Sequence, residues 1–259
     1  MANTELDGRV VAVTGSARGI GLAVATSCVA AGMRVVIGDL DARAVDDVAK
    51  QLGPNAVGVV VDVSDEDSFA SFLDAAEDHF GSLDVLINNA GVLRMGPLAE
   101  ATADDVRLQL DVNVRGVVTG TRLAMQRFIA RGEGHIVNMA SSASMVAAPN
   151  GAVYSASKHA VLGLTRAVRG ELRGTAVRTT IVMPGVIRTE MTQEFAPALG
   201  VRVVDPEAVA EAILSALRKG TPEVYVPKEV GLQGRLFTVL PARASDAMKR
   251  LARVDRVMH

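Results

Sequence analysis

The feature that most constrains the fold is an alternation of short β-branched runs with longer helical patterns, repeated along most of the chain. The β-branched runs are apolar and lack a clean alternation with polar residues, which is typical of strands covered on both faces. With right-handed crossovers, this pattern predicts a doubly wound parallel sheet of about seven strands, an α/β Rossmann fold with helices on both faces. The predicted strands are 9–15, 34–39, 56–63, 84–91, 135–141, 177–185 and 222–227.

The segments between the strands carry helix start and stop signals. No linker, repeat or low-complexity tract interrupts the chain, so we expect one domain over residues 1–259. The rhythm stops near residue 228, and the basic, amphipathic remainder predicts a helical C-terminal extension over 228–259. The predicted helices are 21–32, a helix rich in Asp, Arg and Ala after the second strand, one capped at Ser64-Asp65-Glu66-Asp67, 103–131, 152–172 and one opening at Pro206-Glu207.

Composition excludes several classes of protein. A net charge of −2 and a pI near 6.1 provide no global basic field, so we expect no nucleic-acid partner. Cys28 is the only cysteine, which excludes an intrachain disulfide and suits a reducing compartment. The N-terminus lacks a basic start and an apolar core, and no run approaches 18 apolar residues, so we expect a cytoplasmic protein. The four histidines are scattered, and no metal site is predicted.

The stretch TGSARGIG (14–21) follows the first predicted strand and contains Gly15, Gly19 and Gly21. Glycines are needed where the backbone turns tightly from strand to helix and a pyrophosphate approaches closely, and the following helix N-terminus attracts the phosphate. A plain tight turn is the alternative. The position on the first βα unit favours a dinucleotide site.

Asp39 ends the second predicted strand, 18 residues beyond Gly21. A carboxylate there can accept hydrogen bonds from both adenosine ribose hydroxyls and would repel a 2′-phosphate, which favours NAD over NADP. Arg18 is a basic residue in the turn that would suit a phosphate, but Leu40, not a base, follows Asp39. Asp62 either meets the adenine amino group or caps the next helix.

Tyr154 and Lys158 lie four residues apart in a predicted helix, so they share one face. An unperturbed phenol titrates near ~10, and a neighbouring ammonium favours phenolate and lowers the tyrosine pKa. The pair alone also suits a solvated helix face. His159 points about 100° away from Lys158, so it receives no catalytic role.

These residues resemble the short-chain dehydrogenase/reductase family, and the resemblance extends from residue 9 to about 226. The family's motifs occur in the family's order, with 13 residues from Ser141 to Tyr154. The resemblance implies a seven-stranded doubly wound sheet, a nicotinamide cofactor, and oxidation of alcohols or reduction of carbonyls. The matching pieces are TGSARGIG, Asp39, Asp62-Val63, NNAG (88–91), Asn113, Ser141, YSASK (154–158) and PGVIRT (184–189).

The resemblance also implies residue roles. Tyr154 would be the acid/base, Lys158 would lower its pKa and bind the nicotinamide ribose, and Ser141 would bind the substrate oxygen. Ser142 and Ser144 are neighbouring hydroxyls that would compete for the role of Ser141. Asn113 would bend its helix and anchor a water leading to Lys158, or else make an interhelix hydrogen bond. Asn88 would be mostly structural. The implied cofactor-binding residues are Gly15, Ser16, Arg18, Gly19, Ile20, Gly21, Asp39, Leu40, Asp62, Val63, Asn89, Ala90, Gly91, Tyr154, Lys158, Pro184, Gly185, Ile187 and Thr189.

Three loops should determine the substrate: 93–95, 145–148 and 187–201. Their side chains are mainly apolar, which favours a lipophilic alcohol or ketone of the steroid, retinoid or fatty-chain type. An NADP-dependent carbonyl or 3-ketoacyl reductase and a non-catalytic dinucleotide-binding regulator are the alternatives. The family favours a homo-oligomer, dimer or tetramer. The 228–259 extension would pack on its own or a sister subunit, cover the substrate pocket, or, as the weaker option, rest on a membrane surface.

Overall fold

The computed structural model describes residues 6–193 and 202–241, together with Arg243, Ala244 and Asp246. Seven parallel strands form one sheet in the order β3-β2-β1-β4-β5-β6-β7, which confirms the doubly wound α/β prediction. The strands are β1 Val10–Thr14, β2 Arg34–Asp39, β3 Ala56–Val60, β4 Val85–Asn88, β5 Glu133–Met139, β6 Ala176–Pro184 and β7 Glu223–Val226.

Eight α-helices connect and flank these strands in the described residues. Asp65 caps α3 by accepting a hydrogen bond from Ser68 N, and Pro206 occupies the first turn of α7, as their positions in the sequence indicated. The helices are α1 Gly19–Ala30, α2 Ala42–Leu52, α3 Glu66–Phe80, α4 Ala103–Leu110, α5 Gly116–Arg131, α6 Ala152–Glu171, α7 Pro206–Lys219 and α8 Glu229–Val239.

Most predicted boundaries differ from the structure by one to three residues, and three differences have a visible cause or consequence. The strand expected over 56–63 ends at Val60, because the backbone turns at Asp62, whose carboxylate accepts hydrogen bonds from the amide and hydroxyl of Ser64. The helix expected over 103–131 is two α-helices joined by a π segment, Asp111–Arg115. Helix α1 begins at Gly19, two residues before the predicted start.

The core has a layer on each face of the sheet. One layer packs α1 and α7 against the sheet, and the other packs α3 and α5 against it, with the Phe69 and Phe72 rings edge to face at 6.2 Å. The central strand β1 pairs with β2 on one side and β4 on the other, so the crossovers leave it in opposite directions. A crevice therefore opens at the carboxyl ends of β1 and β4, where ligands bind in folds of this type.

The described part of the predicted C-terminal extension is mainly α8, which packs on its own subunit. Gly231 lies against the Tyr225 ring and Gly234 against Met145, because a Cβ on either glycine would come within 2.8 Å and 2.4 Å of those side chains. The Arg235 guanidinium lies 5.9 Å from the Tyr225 ring centroid. Most of the segment beyond 241 lies outside the described residues. No described helix is both long enough and apolar enough to span a bilayer.

Candidate active site

The turn after β1 requires glycine at three positions, either because φ is positive or because there is no space for a Cβ. Gly15 and Gly19 have φ angles of +63° and +54°, which side chains rarely adopt. A Cβ on Gly15 would also lie 2.7 Å from Ala90 Cα. At Gly21 a Cβ would lie 2.1 Å from Gly15 O, so any side chain there would push α1 away from the turn. The helix N-terminus is thereby held close to the crevice.

Three hydrogen-bonding side chains stabilise this turn. Thr14 Oγ1 accepts from Asn89 N and Ala90 N at 3.1 Å each, and Asn89 Nδ2 donates to Thr14 O and Gly15 O at 2.9 Å each. Ser16 is fully buried, and its hydroxyl donates to Val13 O and accepts from Gly38 N. The side chain of Ser16 therefore ties the turn to β2, and the contact between Ser16 and a cofactor stays a prediction.

Asp39 ends β2 with its carboxylate held in place by the turn. Its Oδ1 accepts from Leu40 N at 2.8 Å and its Oδ2 from Ala17 N at 3.3 Å. The neighbouring Arg18 is half exposed and forms ion pairs with Asp41 at 3.6 Å and Glu190 at 3.9 Å. Its charge is therefore engaged by two carboxylates, one after β2 and one after β6. The side chain of Leu40 is exposed beside Asp39.

Asp62 and Val63 follow β3 at the same edge of the sheet. The suggestion that Asp62 caps the next helix is wrong, because Asp65 caps α3 and Asp62 binds Ser64 instead. Val63 is buried, and its backbone and side chain leave no space for a Cβ on Gly116 at the start of α5. The carboxylate of Asp62 is partly buried at the rim of the crevice.

Ser141 caps the short 3-10 turn after β5, where its Oγ accepts from Ala143 N at 3.1 Å. Of the three serines here, Ser141 interacts with the Tyr154 hydroxyl, whereas the buried Ser144 accepts a bond from Ser141 N. Desolvation raises the pKa of Tyr154, and the hydrogen bond with Ser141 only partly offsets that rise. The phenol is consequently protonated at neutral pH.

Lys158 is 4% exposed and lies one turn after Tyr154 in α6. Its Nζ donates to Met139 O at 3.0 Å and lies 5.7 Å from the Tyr154 ring centroid. Burial lowers the pKa of Lys158 to about 8. In this structure the ammonium faces the ring and a backbone carbonyl, and desolvation is the largest influence on the pKa of the phenol, so the lowering of that pKa by Lys158 stays a prediction.

Asn113 lies in the π segment and is fully buried. Its Oδ1 accepts from Val92 N and its Nδ2 donates to Val92 O, both at 2.8 Å, so it holds the chain after β4. Nδ2 also lies 3.2 Å from Ser157 Oγ of α6, which is the interhelix hydrogen bond left open by the sequence. Ser157, which lies between Tyr154 and Lys158, was not predicted to have this role.

Gly91 lies between these groups and leaves space beside them. A Cβ there would lie 3.3 Å from Asn113 Oδ1 and 3.6 Å from Lys158 Nζ. A larger side chain at this point would therefore crowd the amide of Asn113 and the ammonium of Lys158. Asn88, the last residue of β4, is buried and donates to Asn138 Oδ1 at 2.8 Å, in agreement with its expected structural role.

The segment after β6 forms the opposite wall of the crevice. Pro184 ends β6, and Gly185 N donates to Val226 O at 2.8 Å. The side chain of Ile187 is 3% exposed and packs in the core, so only its backbone can face a ligand. The methyl group of Thr189 faces Gly19 across the crevice, 3.5 Å from where a Cβ on Gly19 would lie.

Helix α8 contacts parts of the predicted substrate loops and the end of β6. Val230 of α8 lies against Gly185, and Met145 lies against Gly234. A cavity of about 160 Å³ opens beside Met95 and the start of α6, and there Gln109 accepts a hydrogen bond from Arg94 N. The role of Gln109 was not predicted, whereas a position of the C-terminal extension over the substrate pocket was one of the options stated for it. Residues 194–201 of the third loop lie outside the described residues.

Comparison with known proteins identifies the family to which this chain belongs. The short chain dehydrogenase family model matches residues 9–200. An uncharacterized oxidoreductase of Staphylococcus haemolyticus is 33% identical over 215 residues, which cover 83% of this chain and 93% of that protein. The glycine betaine reductase ATRR of Emericella nidulans is 32% identical over 242 residues, covering 89% of this chain but 19% of that longer protein.

Two solved structures share the fold. A short chain dehydrogenase/reductase from Burkholderia phymatum, in complex with NAD, has a TM-score of 0.83 and 29% identity, covering 90% of this chain and 93% of that one. A 3-ketoacyl-(acyl-carrier-protein) reductase from Brucella melitensis, complexed with NADH, has a TM-score of 0.81 and 29% identity, covering 85% and 97%. With its fold, glycine turn and family match taken together, this chain belongs to the short chain dehydrogenase family and is an NAD(P)-dependent oxidoreductase.

Proposed function

We propose that the protein interconverts a lipophilic secondary alcohol and its ketone, with NAD(H) as the hydride carrier. The observation that carries the proposal is the grouping of Ser141, Tyr154 and Lys158 at the crevice, with the ammonium 5.7 Å from the tyrosine ring. The nicotinamide ring, when bound, supplies or accepts the hydride. The residues of this chain then have to orient the substrate oxygen and move its proton.

Tyr154 Oη holds the proton that the substrate oxygen gains on reduction. Its pKa is raised by desolvation, so it is a proton donor at neutral pH, and reduction is the direction that this form supports directly. Ser141 Oγ orients the substrate oxygen beside it. Lys158, cationic below pH about 8, stabilises negative charge on the phenol oxygen as the proton leaves and binds ribose hydroxyls. Asn113 positions Ser157 and the 91–92 backbone around that ammonium.

The crevice residues fit a dinucleotide, because glycines leave its floor open at Gly19 and Gly91. Asp39 would hold the adenosine ribose, which favours NAD, and the pairing of Arg18 with Asp41 and Glu190 supports that choice by engaging the base that would otherwise attract a 2′-phosphate. The remaining contacts would come from Gly15, Ile20, Leu40, Asp62, Val63, Asn89, Ala90, Pro184, Gly185, Ile187 and Thr189.

The substrate class follows from the side chains around Tyr154. Met95 and Met145 lie in the predicted substrate loops, and Val230 of α8 packs against Gly185 beside them. Such flexible apolar side chains adapt to lipophilic ligands. A β-ketoacyl chain belongs in the same test, since the Brucella melitensis relative is a 3-ketoacyl reductase.

The chemistry is tested by following absorbance of the reduced cofactor with a panel of lipophilic alcohols, ketones and β-ketoacyl thioesters. Tyr154→Phe should lower kcat by roughly 10²–10⁴-fold, the usual contribution of a positioned acid, with cofactor affinity unchanged. Tyr225→Phe is the matched control, because Tyr225 bonds Glu223 away from the crevice and should keep its activity. Full activity of Tyr154→Phe would refute the mechanism, and turnover of sugars or short polar acids alone would refute the substrate class.

Cofactor choice is tested separately by binding of NADH and NADPH. Asp39→Asn removes a carboxylate that would repel a 2′-phosphate, so the preference for NADH should fall by roughly tenfold or more. Asp41→Asn, which removes a partner of Arg18 but leaves Asp39 in place, should change it much less. An unchanged preference in Asp39→Asn would contradict the assignment.

A further inference from the structure

A second cavity, of about 300 Å³, opens at the amino edge of the sheet, opposite the crevice. Arg9 precedes β1 and Arg178 lies near the start of β6, while Arg131 and Arg218 lie in the last turns of α5 and α7. All four arginines line the cavity, together with two acidic residues, so the lining carries a surplus of two positive charges. The proposed oxidoreductase chemistry makes no use of this cluster.

Carboxylates neutralise only part of the positive charge of these four arginines. Arg131 pairs with Asp84 at 3.2 Å, and Asp84 also accepts a hydrogen bond from Val10 N. In the described part of the chain, Arg9, Arg178 and Arg218 have no carboxylate within 4.0 Å. The Nε groups of Arg131 and Arg218 are buried without a hydrogen-bond partner among the described residues. Arg9 and Arg178 are exposed and Arg131 and Arg218 are partly buried, but a buried N–H donor without an acceptor is costly, so these two Nε atoms call for an explanation.

Helix dipoles explain only part of the cluster. A cation in the last turn of a helix is stabilised by the helix carbonyls, which accounts for Arg131 and Arg218. Arg9 and Arg178 lie at the beginnings of strands, although the Arg178 guanidinium also lies against Gly220, the C-cap of α7. They also lie close enough to the buried His135 to disfavour its protonation, in addition to the effect of burial. Four cations therefore converge on one cavity, and of these only Arg131 has a carboxylate partner among the described residues.

We propose that this amino-edge cavity binds a compact phosphate, either inorganic phosphate or a small phosphate monoester. Guanidinium groups that approach from four separate elements suit a tetrahedral anion, since each can donate to a different oxygen. The volume lies at the lower end of the range for small-molecule sites and excludes a whole dinucleotide. The anion would supply the acceptors that the arginines lack and would bridge the beginnings of β1, β5 and β6.

Calorimetric titration with inorganic phosphate tests this proposal, using the full chain saturated with NADH and constant ionic strength, so that the glycine turn is already occupied. Arg178→Gln should weaken phosphate binding about tenfold or more, the effect of losing one charge-assisted hydrogen bond. Arg107→Gln is the control, because Arg107 is an exposed residue of α4 paired with Asp104 and should bind phosphate like the wild type. Arg218→Gln provides a second variant with the same expected loss.

His135 provides an independent readout inside the cavity. Its pKa of about 4 should rise when phosphate binds, because an anion stabilises the imidazolium, and the imidazole NMR resonances report that change. Tighter binding of glycerol 3-phosphate than of inorganic phosphate would identify a monoester as the occupant, and weaker binding would identify the free ion. Absence of phosphate binding to the wild type, or equal binding by Arg178→Gln and Arg107→Gln, would overturn the proposal.

Discussion

The two edges of the sheet each hold one buried nitrogen base in a different electrostatic setting. At the carboxyl edge, burial alone lowers the pKa of Lys158 to about 8, so it remains mostly cationic at neutral pH. At the amino edge, burial and two nearby arginines lower the pKa of His135 to about 4, so it is neutral. Both pKa values fall by a similar amount, so the comparison teaches that the starting pKa of the group decides the outcome: the amine begins at 10.5 and remains a working cation at neutral pH, whereas the imidazole begins at 6.5 and does not.

The largest expected effect is at the carboxyl edge, in Lys158→Met. Removing the ammonium should lower kcat by about 10²-fold or more. The same change should stabilise the fold at pH 7 by up to about 3 kcal/mol, because the folded state pays for a buried charge that the unfolded state solvates. Urea unfolding at a series of pH values measures the second effect.

The direction in which folding stability changes with pH follows from the lowered pKa of Lys158. Between pH about 8 and 10.5 the unfolded chain holds a proton that the folded chain has released, so wild-type stability gains with pH there. The advantage of Lys158→Met should therefore be largest below pH 8 and vanish above 10.5. Lys50→Met, at an exposed helix position beside Asp46, should show neither effect. A variant that is less stable than the wild type at pH 7 would contradict this view of Lys158.

The second effect is at the amino edge, in His135→Gln. The folded wild type resists protonation of His135, so its contribution to stability is present above pH 6.5 and is lost as the pH falls toward 4, by about 3 kcal/mol. Glutamine keeps an N–H donor for Thr180 Oγ1 and has no titration in this range. The variant should lose that part of the acid sensitivity.

Measuring kcat of His135→Gln separates the role of the amino edge from that of the carboxyl edge. Since His135 lies away from Ser141 and Tyr154, His135→Gln should keep wild-type kcat at pH 7, unlike Lys158→Met. Unfolding midpoints should be measured from pH 4 to 7 in phosphate-free buffers, because an anion in the amino-edge cavity would itself change the histidine pKa. An unchanged acid slope in the variant would mean that other groups control acid unfolding.

Much of this arrangement is readable from local sequence. Strand β2 occupies its predicted residues 34–39, and the long helix is interrupted around Asn113, the one residue there expected to bend it. Seven apolar runs and their glycine boundaries are local signals, so they predict the sheet well. The carboxyl edge was predictable because strand ends and the Tyr154/Lys158 spacing place polar groups together.

What escaped prediction depends on distant segments meeting. The hydroxyl of Ser16 is buried by Val13 and Gly38, and that contact appears only once β1 and β2 pair. The raised pKa of Tyr154 reflects three-dimensional desolvation, which spacing along one helix does not reveal. The arginines of the amino edge come from four separate elements, and no local pattern connects them.

The smallest expected effect on stability is again at the carboxyl edge, in the variant Gly21→Ala. The added methyl would overlap Gly15 O and approach Ser16 Cα to 2.7 Å, so α1 must move away from the turn. Overpacking of this kind costs about 1–3 kcal/mol, and it should also weaken NADH binding. Gly163→Ala, in α6 with nothing within 4 Å of the new Cβ, should instead stabilise by about 0.5–1 kcal/mol. Urea unfolding and NADH titration measure both variants, and equal stability of the two would show that the close approach at Gly21 is not enforced.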